Sequence, residues 1–257
     1  MTDNDFDVTC IIPAAGQGRR MKAGINKQFL KLDRKPVLTH TWRVFTRLSF
    51  IKEIILVVNE NEKELCLNEV VLPYRDEKNR DERRFGSIKV IAGGSTRQAS
   101  VYNGIKEAAK TTSEILIHDG ARPLVTPELV KKVVDKCREY TAAIAAVPVK
   151  DTIKMTEEAG VQGREGEREV FIKDTPPRDL LWAAQTPQVF EKRLIRRAYE
   201  KSFEEGYTGT DDSSLVERLG TFPAIVESSY ENLKVTTPED IKVAENIFTR
   251  RDKNEDR

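Results

Sequence analysis

The run Ile11-Ile12-Pro13-Ala14-Ala15-Gly16-Gln17-Gly18-Arg19-Arg20-Met21 passes from apolar residues into a loop of small ones, and Asn26-Lys27-Gln28 follows closely. These types suit a polyphosphate. Small residues let backbone N–H groups approach phosphate oxygens, while Arg19, Arg20 and Lys27 bring positive charge to where negative charge develops during phosphoryl chemistry. Two better-known phosphate loops are excluded: a dinucleotide fingerprint needs a third glycine where Met21 stands, and no Lys-Ser or Lys-Thr pair completes a P-loop. Glycines alone commonly mark turns, so Gly16 and Gly18 gain their weight from the adjoining Arg20 and Lys27.

A second small-residue loop, Gly93-Gly94-Ser95-Thr96-Arg97-Gln98-Ala99-Ser100, offers backbone groups and hydroxyls between a strand-like and a helix-like stretch. It could read the edge of a base, or it could be a glycine turn followed by a Ser/Thr helix cap. In Ile117-His118-Asp119-Gly120-Ala121-Arg122-Pro123 a carboxylate falls just past a strand, where a hard divalent cation bridging phosphates would want an oxygen ligand. Asp119 is the metal candidate, against the ordinary role of Asp before Gly in a turn. His118, alone on an apolar strand, reads as a structural histidine. With only His40 and His118 in the chain, a His-rich metal site is excluded. Thr186-Pro187-Gln188, Gly209-Thr210-Asp211-Asp212 and Asn232-Leu233-Lys234-Val235-Thr236-Thr237-Pro238 have the composition of loops and caps. Pattern alone leaves Lys234 pointing to solvent.

These candidates need a frame. Short apolar, often β-branched runs at 8–13, 54–59, 88–91, 115–118 and 142–149 alternate with helix-like stretches at 36–50, 95–110 and 127–140. The alternation predicts βαβ units: an α/β, Rossmann-like fold with a mostly parallel sheet and helices on both faces. Ligands of such sheets sit beyond the carboxyl ends of the strands, where the candidate loops fall. Residues 151–178 break the pattern and predict a projecting β-hairpin, which is marginal alone and would pack most economically on a second subunit. Helices are expected at 191–206, 212–219 and 238–251, an extended segment at 222–227, and a solvated charged loop at 73–86.

At 257 residues and 39% hydrophobic content, one domain over 1–257 with the excursion at 151–178 is the expected organisation. Forty-three basic against 42 acidic residues leave +1, which excludes the basic face of a nucleic-acid binder. Cys10, Cys66 and Cys137 lack any CxxC spacing, which argues against a disulfide framework or zinc site and for a reduced, cytoplasmic setting. The polar, acidic first residues hold no signal-like run, and no stretch is long and apolar enough to span a membrane.

Taken in order, these motifs resemble the 2-C-methyl-D-erythritol 4-phosphate cytidylyltransferases of the non-mevalonate isoprenoid pathway, over about residues 8–244. Val147-Pro148-Val149-Lys150-Asp151-Thr152 adds an eighth element. The resemblance implies transfer of CMP from CTP to 2-C-methyl-D-erythritol 4-phosphate, giving 4-diphosphocytidyl-2-C-methyl-D-erythritol and pyrophosphate, with Mg²⁺, in a homodimer joined through the β-arm. It implies that Arg20, Lys27 and Lys234 neutralise the CTP phosphates and the transition state, and that Asp119 associates with Mg²⁺. It implies a cytidine surface of Ala14, Ala15, Gly16, Gly94, Ser95 and Ser100, with Gly18 in the same glycine loop. It implies substrate contacts from Arg122, Thr152, Arg178, Thr186, Thr210 and Asp211, some reaching across the dimer. Ser228-Ser229 stand where many members have a glycine, and the segment between Thr152 and Arg178 is longer and more charged than usual.

The chemistry implied brings a substrate phosphate against the α-phosphorus of CTP. Two unit charges near 4 Å repel by roughly 4 kcal/mol even at an effective dielectric of about 20, so several cations are needed. A phosphomonoester dianion needs no general base, in keeping with only two histidines. Two alternatives stay open: a relative acting on ribitol 5-phosphate, and a nucleotide-binding protein without turnover, which would be expected to lack a catalytic cation.

Overall fold

The computed structural model describes residues 7–16, 26–75, 87–157, 161–162 and 168–255. A seven-stranded sheet is built from β1 (Asp7–Pro13), β2 (Ile51–Val58), β3 (Ser87–Ala92), β4 (Thr112–Ile117), β5 (Ala142–Pro148), β6 (Trp182–Glu191) and β7 (Ala224–Glu227). Their spatial order is β7-β5-β6-β4-β1-β2-β3. Every pairing is parallel except those of β6, which runs antiparallel to both β4 and β5.

The strands alternate, and the alternation sorts two cores. Cys10 and Ile12 of β1, with Ile54, Leu56 and Val58 of β2, face α1 (Val37–Thr46) and, further along the chain, Val130, Val133 and Val134 of a fourteen-residue helix, Pro127–Tyr140. Ile11, Ile55 and Val57 face the other way, onto α2 (Arg97–Glu107), and the Pro127–Tyr140 helix is α3. The second face is completed by α4 (Lys192–Glu204) and α5 (Asp212–Glu217). A period of two on strands with both faces buried produces this segregation, and each fully buried aliphatic side chain contributes about 1.5–3 kcal/mol. The last helix, α6 (Pro238–Glu255), packs Ala244 onto Leu32, Val37, Leu124 and Val235 in a third, smaller cluster.

Helix starts follow the expected caps. Thr96 and Thr126 accept from the backbone N–H groups of Ala99 and Leu129, and Pro127 fills the first turn of α3. Asp211 and Ser214 form a reciprocal capping box on α5. All three cysteines are buried and free.

Two expectations are corrected. Thr186-Pro187-Gln188, read as loop, lies inside β6; its register against β5 shifts between Ala184 and Gln188, so Pro187 sits at an irregularity where a missing N–H is tolerated. The helical run from Glu60 continues through a π-turn at Cys66–Val71 to Leu72–Arg75, so Pro73 belongs to a helix, and residues 76–86 lie outside the described residues. The hairpin was rightly expected: Met155–Thr156 pairs antiparallel with Ile172–Asp174, and Val161–Gln162 with Arg168–Glu169. No helix among the described residues is long and apolar enough to cross a membrane.

Candidate active site

Loops at the carboxyl ends of β1, β3 and β4 line one cleft of about 510 Å³, together with Lys234 from the segment before α6. Ala15, Gly16, Gly94, Ser95, Ser100, Asp119 and Lys234, all expected from the sequence, meet in its wall. Gly18 and Arg20 lie outside the described residues. Lys27 opens a short helical turn, Lys27–Phe29, and its side chain is likewise outside them.

The first wall is backbone, held by the Val57 carbonyl and by the side chains of Gln28 and Ser100. Ala14 donates to the Val57 carbonyl at 2.7 Å, and its own carbonyl accepts from Gln28 Nε2 at 2.8 Å. Opposite, the Gly94 N–H donates to Ser100 Oγ at 3.0 Å, and Ser100 donates back to the Thr96 carbonyl at 2.8 Å. A side chain at Gly94 would put its Cβ 2.5 Å from Ala99 Cβ, so the protein itself demands glycine there. At Gly16 a Cβ would meet nothing within 4 Å among the described residues. That glycine leaves room for a ligand's close approach.

The second wall is charged. Asp119 Oδ2 lies 2.8 Å from Lys234 Nζ and 3.5 Å from Arg122 Nε, and its Oδ1 lies 3.6 Å from Arg97 Nη2. Burial opposes ionisation of Asp119, but Lys234, Arg97 and Arg122 together hold its carboxyl well below the usual range. Arg97 is in turn gripped by Asp212 at 3.0 and 2.8 Å through both terminal nitrogens. Three cations against two carboxylates leave this cluster net positive, a suitable partner for an anion.

Lys234 points into the cleft, not to solvent as pattern alone suggested, because its neighbours are pinned. Asn232, 2% exposed, donates from Nδ2 to Gln185 Oε1 and the Thr186 carbonyl, both at 2.9 Å. Arg122 donates to the Asn232 carbonyl at 2.7 Å, and Val235 N–H to the Ala121 carbonyl at 2.8 Å. Arg122 therefore sits behind the cleft wall, bracing Asp119 and the Lys234 segment together.

Thr186 is also behind the wall: its hydroxyl accepts the Asp119 N–H at 3.0 Å and contacts His118 Nδ1 at 3.0 Å. The Arg122 carbonyl, 3.1 Å from His118 Nε2, can only accept, so Nε2 carries the proton and Thr186 donates to Nδ1. Burial pulls the His118 pKa down to about 4, which leaves a neutral, structural histidine, as expected.

Asp211 spends its carboxylate on Ser214 N–H, Ser213 Oγ and Gln188 Nε2, and Thr210 beside it is exposed. Thr152 and Arg178 lie at the base of the hairpin, both exposed, with Arg178 donating to the Lys150 carbonyl at 3.2 Å. Arg178 belongs to a separate depression lined by Pro148, Val149, Lys150, Asp179 and Trp182. Sequence reasoning passed over Gln28, Asn59, Thr96 and Arg97, which also line the main cleft. Arg97 had a legible signal: it follows the Thr96 cap within the second small-residue motif.

A mostly parallel sheet with a cation-ringed, glycine-walled cleft at its strand ends defines a nucleotide-using enzyme of the α/β class. The family model described as 2-C-methyl-D-erythritol 4-phosphate cytidylyltransferase matches residues 8–250, and the chain belongs to that family. A relative of that name from Caldanaerobacter subterraneus subsp. tengcongensis is 45% identical over 246 residues, 96% of this chain and 100% of its own. One from Clostridioides difficile is 42% identical over 95% of each chain. Among solved structures, the 4-diphosphocytidyl-2C-methyl-D-erythritol synthase of Anaerococcus prevotii is similar with TM-score 0.78 and 29% identity, covering 96% of this chain and 97% of that one. The Francisella tularensis 2-C-methyl-D-erythritol 4-phosphate cytidylyltransferase is similar with TM-score 0.72 and 28% identity, covering 93% and 98%.

Proposed function

We propose that this chain, acting as one nucleotidyltransferase domain, transfers the cytidylyl group of CTP to 2-C-methyl-D-erythritol 4-phosphate and releases pyrophosphate. Family membership supplies the reaction, and the observation that carries the assignment to this cleft is the Asp119–Lys234 pair facing the Gly16 and Gly94 loops. Ala14, Ala15, Gly16, Gly94, Ser95 and Ser100 receive the cytidine, with Gly18 in the same loop. A phosphate oxygen of the acceptor attacks the α-phosphorus, the bond to the bridging oxygen breaks, and pyrophosphate leaves with that electron pair. Lys234, together with Arg20 and Lys27, lowers the barrier by spreading the charge that accumulates on the pentacoordinate phosphorus. No side chain has to remove a proton from the attacking dianion.

The residues present fit a magnesium ion. Mg²⁺ is commonly held by one or two carboxylates plus substrate phosphates, and Asp119 offers an ionised carboxylate in the cleft. Among the described residues no group of three or more His, Cys, Asp or Glu forms an all-protein cage, so Asp119 would share the ion with the substrate. When bound, the ion would neutralise phosphate charge. Lys234 and Arg97 hold Asp119 in place for that purpose.

Arg122, Thr186, Thr210 and Asp211 are read as supporting the acceptor pocket, and Thr152 and Arg178 as acceptor contacts presented by the arm of a homodimer. Ile153, Met155, Val170, Phe171 and Ile172 expose apolar surface along that arm, which a second subunit would cover. Three buried free thiols suit the cytoplasm. The test is pyrophosphate release from CTP and Mg²⁺ with methylerythritol phosphate or ribitol 5-phosphate as acceptor. Release with the first alone is expected; release with ribitol phosphate alone keeps the chemistry and moves the substrate, and release with neither removes the assignment.

A further inference from the structure

We propose that Arg97 is a further phosphate-binding cation of the cleft, and that Asp212 and Tyr199 are the positioning residues that aim it. The proposal rests on the reading that the cleft receives a nucleotide. Arg97 opens α2, Tyr199 lies in α4 and Asp212 opens α5, so three helices converge on one guanidinium. Asp212 is 1% exposed and Tyr199 is fully buried, yet the Arg97 side chain is 37% exposed and lines the cleft. A purely structural ion pair would have no need to leave its cation open on the ligand side.

The geometry is one that arginine alone supplies. Both terminal nitrogens engage Asp212, at 3.0 and 2.8 Å, in a fork that lysine cannot reproduce. Two of five N–H donors are thereby used, and others remain for a ligand. The Tyr199 hydroxyl donates to Asp212 Oδ1, which fixes the carboxylate before it fixes the arginine. The next residue locks the same turn: Gln98 Nε2 donates to Ser202 Oγ at 2.8 Å and the Tyr207 carbonyl at 3.1 Å, while its Oε1 accepts the Gly209 N–H at 3.1 Å. On its open side Arg97 faces Asp119 at 3.6 Å, beyond hydrogen-bond distance. That places the guanidinium beside the carboxylate already read as the phosphate and metal end of the site. A preorganised cation acts without reorganisation when the anion arrives.

The test is calorimetric titration of the full chain with inorganic tripolyphosphate and with CTP, beside thermal denaturation of each variant. Arg97→Gln is expected to weaken both ligands by about 10- to 100-fold, the range for a lost hydrogen-bonded charge. It also strands a buried carboxylate, so its Tm falls. The double variant Arg97→Gln with Asp212→Asn, which leaves no unpaired charge, is expected to regain the lost Tm while ligand affinity stays low. Recovery of both, or unchanged affinity in Arg97→Gln, would overturn the proposal and make Arg97 a structural ion-pair partner only.

Asp212→Asn alone gives the sign test for positioning. Removing a negative charge near an anion site should strengthen binding if charge alone matters, whereas loss of aim weakens it. A fall in affinity is expected, and a rise overturns the role of Asp212. Wild-type protein that binds tripolyphosphate but not CTP would unseat the cytidylyl reading while the variants still decide the role of Arg97; binding of neither overturns both.

Discussion

The cleft and the hairpin arm solve opposite problems. Around the cleft, the described charged side chains are held by neighbours: Lys234 by the anchored Asn232 and Val235, Asp119 by Arg122 and Thr186, Arg97 by Asp212. Along the arm, a short two-stranded ladder carries Met155 and Ile172 at 48 and 63% exposure, with Phe171 beside it at 54%. A site that stabilises a transition state must be organised before substrate arrives, so it is paid for by burial within one chain. An arm that leaves apolar surface open is what the proposed second subunit would cover and stabilise.

Breaking the cleft should have the largest effect. Lys234→Ala is expected to lower kcat by about 10²- to 10³-fold, the scale of removing one preorganised charge-stabilising donor, and to lower Tm as well, because it takes away the nearest partner of the buried Asp119 carboxylate. Steady-state pyrophosphate release and a thermal melt check both halves. A KM increase without loss of kcat would assign Lys234 to ground-state binding instead.

The buried support behind the cleft should be next. Folded His118 takes up its proton only near pH 4, while the unfolded chain takes one up near 6.5, so the unfolded state binds more protons between these values. The contribution of His118 is complete above about pH 6.5 and is lost as pH falls toward 4, by about 3 kcal/mol over the window. Urea midpoints from pH 7.5 to 4 should fall more steeply for wild type than for His118→Gln; parallel profiles would show that His118 is not the titrating group.

The two glycines separate protein-imposed from ligand-imposed constraint within the cleft. Gly94→Ala forces a Cβ into Ala99 and should cost about 1–3 kcal/mol of stability. Gly16→Ala meets nothing within 4 Å among the described residues, so its stability should match wild type while CTP affinity falls. Equal stability losses in both would mean that the Gly16 loop is constrained by the chain and not by the nucleotide.

The arm should have the smallest effect on the cleft. Phe171→Asp with Ile172→Asp is expected to convert a dimer to monomer in sedimentation velocity, with CTP affinity unchanged. A monomeric wild type would leave the exposed apolar strip without its proposed partner.

Much of the molecule is legible in the amino-acid sequence alone. Apolar alternation in 8–13 and 54–58 marks strands because a buried sheet places successive side chains on opposite faces, and the cores divide Ile11 from Ile12 accordingly. The glycine loops were legible because few other residues permit such close backbone approach. β6 was not, because Pro187 and the polar Gln185 and Gln188 look like loop until two flanking strands supply partners on either side. Arg97 was visible as a residue but not as a cleft cation, since Asp212 and Tyr199, which orient it, come 115 and 102 positions later in the chain.

The amino-acid sequence by itself determined the α/β alternation, the residue types of the cleft and the family to which they belong, because these depend on local periodicity and on ordered short motifs. Only the tertiary structure decided where the charges point. The direction of Lys234, the bracing role of Arg122 and the aim of Arg97 depend on hydrogen bonds between residues far apart in the chain. Such bonds hold a side chain only when burial has excluded the water that would otherwise compete for it.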